Sequence, residues 1–423
     1  MQSWERTIAP VAGRENIFPF MDGLKMQKSG GVRILMQLDF NEERFYAMMQ
    51  APALQPFAPE VISFLNKLSL RLLQVGRSYS DVITFAYWCR KAAVLSYAKE
   101  YKDAAKRLGR GIVFHIAPSN VPVNFAFSLA AGLLAGNKNI VRIPSKDFPQ
   151  VRIICTEINN LLSEYPDMLP YIYLVKYEKG TKYTSWISSR CNVRVIWGGD
   201  STIAEIRKSL LAPRAFDVTF ADRYSACIIN SDYYLALDNK EQVALDFYND
   251  TYFSDQNACT SPRIILWNGT HIEEAKRQFW MYLSELVDQR YNLAPVQAVG
   301  KWDALCLAAM NNNCSLIRDG SGLNIMRLKV KELSADLLKY QYHSGFFFEY
   351  DLTQMDDIIP ICHEKCQTLA YLGDMKEEIQ TCLIKAGVLG VDRIVPLGRT
   401  MDFSLTWDGY DLIRTLSRII YDY

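Results

Sequence analysis

The sequence predicts an α/β fold in which a doubly wound parallel sheet is followed by a second α/β region. Three observations predict it. From Gly111 onward, short apolar runs alternate with helix-length segments, the pattern of parallel βαβ units. At 423 residues the chain is too long for one core, so two domains are expected. Hydrophobic residues make up 49% and charged residues 22%, the balance of an ordinary globular chain.

Residues 1–40 read as an arm with one strand-like run at 32–38. Residues 41–104 read as helical. FAPEVISFLNKLSLRLLQVG places Val61, Phe64, Leu65, Leu68 and Leu72 at three- and four-residue spacing before Gly76 stops the helix. A second helix is expected over 79–101. The alternation then runs GIVFHIAP (strand), NFAFSLAAGLLAG (helix), KNIVRIP (strand), 148–164 (helix), YIYLVKY (strand), 183–189 (helix), NVRVIWGG (strand), 202–211 (helix) and YSACIIN (strand). The expected division is an arm over 1–40, a cofactor-binding domain over 41–230, a second domain over 231–400 and a terminal segment over 401–423. The second domain is expected to hold helices at 240–252, 272–287 and 296–310 and strands at 264–267, 323–328 and 346–350. A strand-like DRIVPLG and a final helix over 409–421 complete the chain. In such a sheet, ligands sit at the C-terminal ends of the strands.

Charge excludes one class of partner. With 47 basic and 46 acidic residues the net charge is +1, and nucleic-acid binding needs a concentrated basic face. Ten cysteines lie without a repeated spacing, several inside apolar runs, as in reduced intracellular proteins. Glu5 and Arg6 stand where a signal peptide would be apolar, and the longest small apolar stretch, 125–136, is too short to span a bilayer. A cytoplasmic protein with no membrane span is expected.

One cysteine differs from the rest. SDQNACTSPRIILW sets Cys259 among Gln256, Asn257, Ala258, Thr260 and Ser261, just before the strand-like Ile264–Trp267. A small polar loop of this kind can seat a nucleophilic thiol whose pKa is lowered by nearby backbone N–H groups. No GxGxxG is present. IWGGDST instead places Gly198 and Gly199 where a strand turns into a helix, a natural pyrophosphate site, with Asp200 or Ser201 able to cap that helix. CHEKC, residues 362–366, lacks a second ligand pair and does not read as a zinc site. His115, mid-strand, reads as a core histidine.

Residues 116–149 resemble the aldehyde dehydrogenase superfamily. Pro118, Ser119, Asn120, Val121 and Pro122 stand for its Pro-Trp-Asn-x-Pro loop. Ala135, Gly136 and Asn137 stand for its Gly-Asn turn, and Arg142, Pro144 and Ser145 for its Lys-Pro-Ser strand end. IWGGDST and DQNACTSPR follow in the family's order. Where the superfamily has Glu-Leu-Gly-Gly, this chain has VTFADRYSACIIN, so Ala221 occupies the place of the glutamate that activates water. The WGGDS, QNACTSPR and TWDGYDLIRTL segments look like LuxC-type acyl-CoA reductases.

The resemblance implies an aldehyde dehydrogenase-like fold, a Rossmann-type cofactor domain with a catalytic domain, and NADPH- or NADH-dependent reduction of an acyl thioester to an aldehyde. Cys259 would be the nucleophile and Asn120 an oxyanion donor beside the Cys259 N–H. Ser119, Arg142, Ser145, Gly198, Gly199 and Asp200 would hold the cofactor. The implied partners are acyl-CoA or another acyl thioester, an acyl-activating ligase or carrier protein, and a second copy of the chain. Plainer readings stand beside these: Asn120 as an Asx turn, and Arg142 as a solvated strand end. Glu349 is a further candidate for the nicotinamide ribose. Two rival functions are aldehyde oxidation, with Glu205, Asp222 or Glu349 as base, and a catalytically silent subunit.

Overall fold

The computed structural model describes residues 39–118, 121–178, 180–311, 314–317 and 322–421. The strand-like run at 32–38 lies outside them. Helices α1 (Glu42–Gln50), α2 (Pro59–Val75), α3 (Ser80–Trp88) and α4 (Lys91–Ala98) come first. The apolar spacing works as expected in α2: Val61, Phe64, Leu65, Leu68 and Leu72 are buried, Pro59 opens the helix and Gly76 closes it. The helix expected over 79–101 is two helices. Arg90 is extended between them, and the Lys91 N–H is satisfied by Asn66 Oδ1 at 2.9 Å, a tertiary contact that local periodicity does not register.

After a short strand, β1 (Arg107–Gly109), the first sheet alternates strictly. It comprises β2 (Ile112–Ile116), α5 (Asn124–Leu134), β3 (Lys138–Arg142), α6 (Pro149–Glu164), β4 (Ile172–Val175), α7 (Tyr183–Ser188), β5 (Val193–Trp197), α8 (Asp200–Arg207) and β6 (Phe216–Phe220). Its order is β4-β3-β2-β5-β6, parallel throughout. The chain reverses its winding between β2 and β5, and an open crevice forms at such a switch point. Strand β6 was not anticipated, because FDVTF is an edge strand buried on alternate residues only, with no continuous apolar run to mark it.

The small residues of α5 are needed for approach. A side chain at Gly132 would meet Asn139 Oδ1 at 2.0 Å, and one at Gly136, where φ is +85°, would meet the Leu54 carbonyl at 2.1 Å. Asn137, next in line, accepts from the N–H groups of Arg110 and Gly111 and donates to the carbonyl of Leu416. The Gly-Asn turn thereby ties the start of β2 to the end of the chain.

The second sheet contains β7 (Tyr224–Asn230), β8 (Pro262–Asn268), β9 (Cys314–Leu316), β10 (Met326–Val330), β11 (Phe346–Asp351), β12 (Cys366–Leu372) and β13 (Arg393–Pro396). Their order is β13-β12-β7-β8-β11-β10-β9, and only β9 is antiparallel. Helices α9 (Ser231–Ala236), α10 (Lys240–Asp250), α11 (Ile272–Arg290), α12 (Pro295–Asn311) and α13 (Lys376–Ala386) accompany it. Strand β7, YSACIIN, was expected to end the first domain near residue 230. It instead pairs with β8 and β12, so the chain passes between sheets at 221–223. A parallel strand buried on both faces carries no mark of which sheet it joins.

The final helix expected over 409–421 is mostly something else. A hairpin of β14 (Thr406–Trp407) and β15 (Tyr410–Asp411) is followed by a five-residue helix, α14 (Leu412–Leu416), and strand β16 (Ser417–Ile419). Asp408 and Gly409 make the hairpin turn with φ of +49° and +74°, the geometry that favours Asp-Gly. Strand β16 pairs antiparallel with β1, which takes up backbone groups that a helix would have satisfied internally.

Candidate active site

Two features define the site: a cavity at the ends of the first sheet's strands, and the cysteine loop leading into β8. The cavity, about 270 Å³, is lined by Ala117 and Pro118 after β2, by Arg142 at the end of β3 and Ser145 beyond it, and by Trp197 at the end of β5 with Gly198 and Gly199 beyond it. It therefore occupies the switch point. Four of the sequence-predicted cofactor residues, Arg142, Ser145, Gly198 and Gly199, meet there. Ser119 and Asn120 lie outside the described residues. Asp200 is not part of the lining. It is exposed and paired with Lys365 at 2.7 Å, which holds its carboxyl below the usual range.

The cavity is open to the backbone at the start of α8. A Cβ placed on Gly199 would meet nothing, so a ligand can approach the backbone where α8 begins, as phosphates do at helix N-termini. Arg142 lies over the Tyr177 ring, 4.8 Å from its centroid.

Trp197 forms part of the floor, stacked on Phe220 at 3.7 Å. Its indole N–H donates to Ser128 Oγ at 3.0 Å, Ser128 contacts His115 Nδ1 at 2.7 Å, and His115 Nε2 meets Asn139 Oδ1 at 3.0 Å. His115 is buried and satisfied, and burial pushes its pKa down to about 4. The unfolded chain, with an imidazole pKa near 6.5, takes up this proton first. Stability owed to neutral His115 is thus complete above about pH 6.5 and is lost as pH falls toward 4. Urea midpoints at pH 7 and pH 5 should differ by a His115 contribution of about 2 kcal/mol, and His115→Gln should flatten that difference.

The cysteine loop is held by its own side chains. Asp255 and Gln256 have left-handed backbones, φ +53° and +55°, unusual for residues other than glycine. Gln256 is buried and satisfied on every side: Nε2 donates to the carbonyls of Pro262 and Phe346, and Oε1 accepts from the N–H groups of Gly345 and Phe346. Asp255 accepts from Gln297 Nε2 at 2.7 Å, from Ser344 Oγ at 2.8 Å and from the Tyr291 hydroxyl. Buried Lys301 donates to the carbonyls of Leu323, Asn324 and Ser344 behind it.

Cys259 itself is half-buried, and its carbonyl accepts from Ser225 Oγ on β7 at 2.7 Å. Its pKa is pushed up to about 11, by burial first and then by the negative field of Asp408. A hydrogen bond from Gln367, the Cys259 backbone N–H and the charge of Arg223 oppose that rise without overcoming it. The expectation of a lowered pKa is therefore corrected: desolvation of a thiolate outweighs the donors around it, and the resting sulfur is a thiol. Arg263 and Arg393 lie near enough to interact with the thiolate once the proton has left.

Several of these neighbours escaped sequence reasoning. Gln367 is on β12, in a stretch to which the periodicity assigns no strand. Asp408 is in the hairpin of TWDGYDLIRTL, a segment notable only for its resemblance. Arg223 sits in the link between the two sheets, two residues after Ala221. Of the candidate bases, Glu349 is buried and ion-paired with Arg327, which lies over Trp280, so it is not presented to a ligand. Glu205 pairs with Lys208 on exposed α8. Asp222 is exposed beside Arg223. Cys362 and Cys366 are buried and hydrogen-bonded to each other.

The profile of the acyl-CoA reductase (LuxC) family matches residues 90–420. The chain belongs to that family. It is 27% identical over 170 residues to a long-chain acyl-protein thioester reductase of Photorhabdus luminescens, covering 40% of this chain and 34% of the relative. It is 23% identical over 322 residues to the enzyme of the same description from Vibrio harveyi, covering 74% and 63%. The matches thus span less than two thirds of each relative's length. Among solved structures it resembles a NAD-dependent benzaldehyde dehydrogenase of Corynebacterium glutamicum (TM-score 0.60, 9% identity, covering 89% of this chain and 86% of that one). It also resembles aldehyde dehydrogenase 21 of Physcomitrella patens (TM-score 0.62, 12% identity, covering 89% and 87%). This LuxC-family chain has the aldehyde dehydrogenase fold. Among its described residues no helix is long and apolar enough to cross a membrane.

Proposed function

We propose that this protein reduces an acyl thioester to an aldehyde through an acyl-Cys259 intermediate, with residues 41–220 binding the cofactor and 224–396 carrying the nucleophile. The observation that carries this reading is Ala221. It opens the link from β6 to β7, two residues before Arg223, whose charge acts on the sulfur. A methyl group there cannot activate water, so an acyl group on Cys259 is spared hydrolysis and remains for reduction.

The Cys259 thiol gives up its proton and the sulfur attacks the thioester carbonyl. The donor's thiolate leaves and takes up a proton, which makes the exchange of one thioester for another balanced. The Cys259 N–H and the amide of Asn120 would hold the oxyanion, a contribution typically worth about 3 kcal/mol per donor. Arg142, Ser145, Gly198 and Gly199 would hold NADPH or NADH, which when bound would supply the hydride that the acyl carbon needs. When the carbon–sulfur bond breaks, aldehyde departs and Cys259 recovers its proton. The donor is acyl-CoA or an acyl carrier protein, and an acyl-activating ligase would provide it.

NADPH is the favoured cofactor. The cavity lining contains Arg142 and Ser145 and no carboxylate, and an arginine suits a ribose 2′-phosphate where an acid suits a 2′-hydroxyl. Arg142→Ala should raise the KM for NADPH roughly tenfold while changing that for NADH little, measured by steady-state kinetics with both cofactors. The function itself is tested by incubating the protein with radiolabelled acyl-CoA in the absence of nicotinamide. Label on the peptide containing Cys259 is the expected result, and label on none of the peptides would end the proposal.

A further inference from the structure

We infer that Trp197 touches the bound cofactor, and that Ser128, His115 and Asn139 are positioning residues that set its indole from inside the fold. The inference rests on the proposed reading of the switch-point cavity as the dinucleotide site. Its basis is a line of hydrogen-bonded side chains that ends at that cavity. Asn139 on β3 is in register with Val113 on β2, and His115 on β2 with Val195 on β5. Side chains two residues apart share a face of a sheet. Asn139, His115 and Trp197 therefore lie on one face of three adjacent strands, each two residues nearer the C-terminal ends than the one before. Ser128 and Gly132, one turn apart on α5, meet that face.

The hydrogen bonds have one possible order. Asn139 Nδ2 donates to the carbonyls of Asn137 at 2.7 Å and Tyr171 at 3.3 Å, which turns Oδ1 toward His115 Nε2 at 3.0 Å. An amide oxygen only accepts, so the His115 proton is on Nε2, and Nδ1 accepts from the Ser128 hydroxyl at 2.7 Å. The Ser128 oxygen is then free to accept from the Trp197 indole N–H, a group that only donates, at 3.0 Å. All four side chains are buried.

A fully satisfied buried network rigidifies its surroundings, although apolar side chains would fill the same space at a lower desolvation cost. Of the four members only Trp197 lines the cavity, so the geometry being fixed is that of the cavity floor. Phe220 stacks on the indole at 3.7 Å, and the Gly198 N–H donates to the Phe220 carbonyl at 3.1 Å. The constraint thereby reaches the glycine turn at the start of α8. Gly132 makes room for the network, because a Cβ there would meet Asn139 Oδ1 at 2.0 Å and His115 Nε2 at 2.9 Å. Gly132 is not in the cavity lining, so a methyl group at this position disturbs the floor from beneath.

The test is binding of NADPH to the full chain, read by the fluorescence of the reduced nicotinamide. Trp197→Phe, Ser128→Ala and Gly132→Ala should each raise the Kd roughly threefold to tenfold. Trp197→Phe and Ser128→Ala remove the same hydrogen bond, so the double variant should bind no more weakly than the weaker of the two. A second readout follows the indole itself. In the proton NMR spectrum, the indole N–H resonance lost in Trp197→Phe should move as NADPH saturates the wild type, and should also move in unliganded Ser128→Ala. A resonance that stays in place on NADPH addition overturns the cofactor contact. Losses that multiply in the double variant overturn the positioning role. A cooperative urea transition identifies folded variants, and where Ser128→Ala does not fold, Gly132→Ala takes its place in the double variant. A wild type that binds neither NADPH nor NADH would instead end the cofactor reading, which keeps the two failures apart.

Discussion

Cys259→Ala should lose acyl transfer completely and reduce aldehyde formation by at least roughly 10⁴-fold, the scale on which removal of a covalent nucleophile acts. No other group in the described chain is placed to substitute. Of the nine other cysteines, seven are buried, Cys314 is half-buried on edge strand β9, and Cys306 is exposed on α12. The label from acyl-CoA should therefore vanish with Cys259→Ala and persist in Cys306→Ser. Cofactor binding should survive, because the cavity is lined from the first sheet. Retention of turnover in Cys259→Ala would mean direct reduction of the free thioester, and the covalent reading would be wrong.

Gln256→Leu should have the next largest effect, lowering stability by about 3 kcal/mol and slowing Cys259 acylation with it. The leucine side chain is similar in size but leaves two carbonyls and two N–H groups of the 256–262 turn and β11 without their present partners. Each buried orphan costs about 1–3 kcal/mol, reduced where the loop can relax toward water. Such relaxation would release the left-handed backbone at Asp255 and Gln256 and move the sulfur. Urea midpoints give the stability term, and the rate of iodoacetamide labelling at Cys259 gives the displacement. A variant as stable as wild type with unchanged labelling would show that the loop is held by Asp255 and Lys301 alone.

The cysteine loop also explains why its neighbours were hard to foresee. Gln256 was visible as a polar neighbour, yet its four hydrogen bonds reach residues 262 and 345–346. Gln367 and Asp408 lie more than a hundred residues from Cys259 and come together only because β12 inserts beside β7. CQTLAYL in β12 is buried through its first five residues and carries a glutamine and a threonine that break its apolar run. A polar residue inside a buried strand lowers the hydrophobic signal that would mark the strand. Glu349 shows the converse: a carboxylate attractive in sequence was neutralised in the fold by Arg327.

By itself the sequence determined the α/β class, the alternation that builds the first sheet, the Cys259 loop and the glycine turn at 198–199. These are local properties, set by hydrophobic period, turn chemistry and residue identity over a few positions. Only the tertiary structure decided that β7 joins the second sheet, that the C-terminal residues form a hairpin and a strand, and that desolvation leaves Cys259 a thiol beside Gln367 and Asp408. Strand pairing and burial depend on partners distant in the chain, and their energies arise only once those partners are packed together.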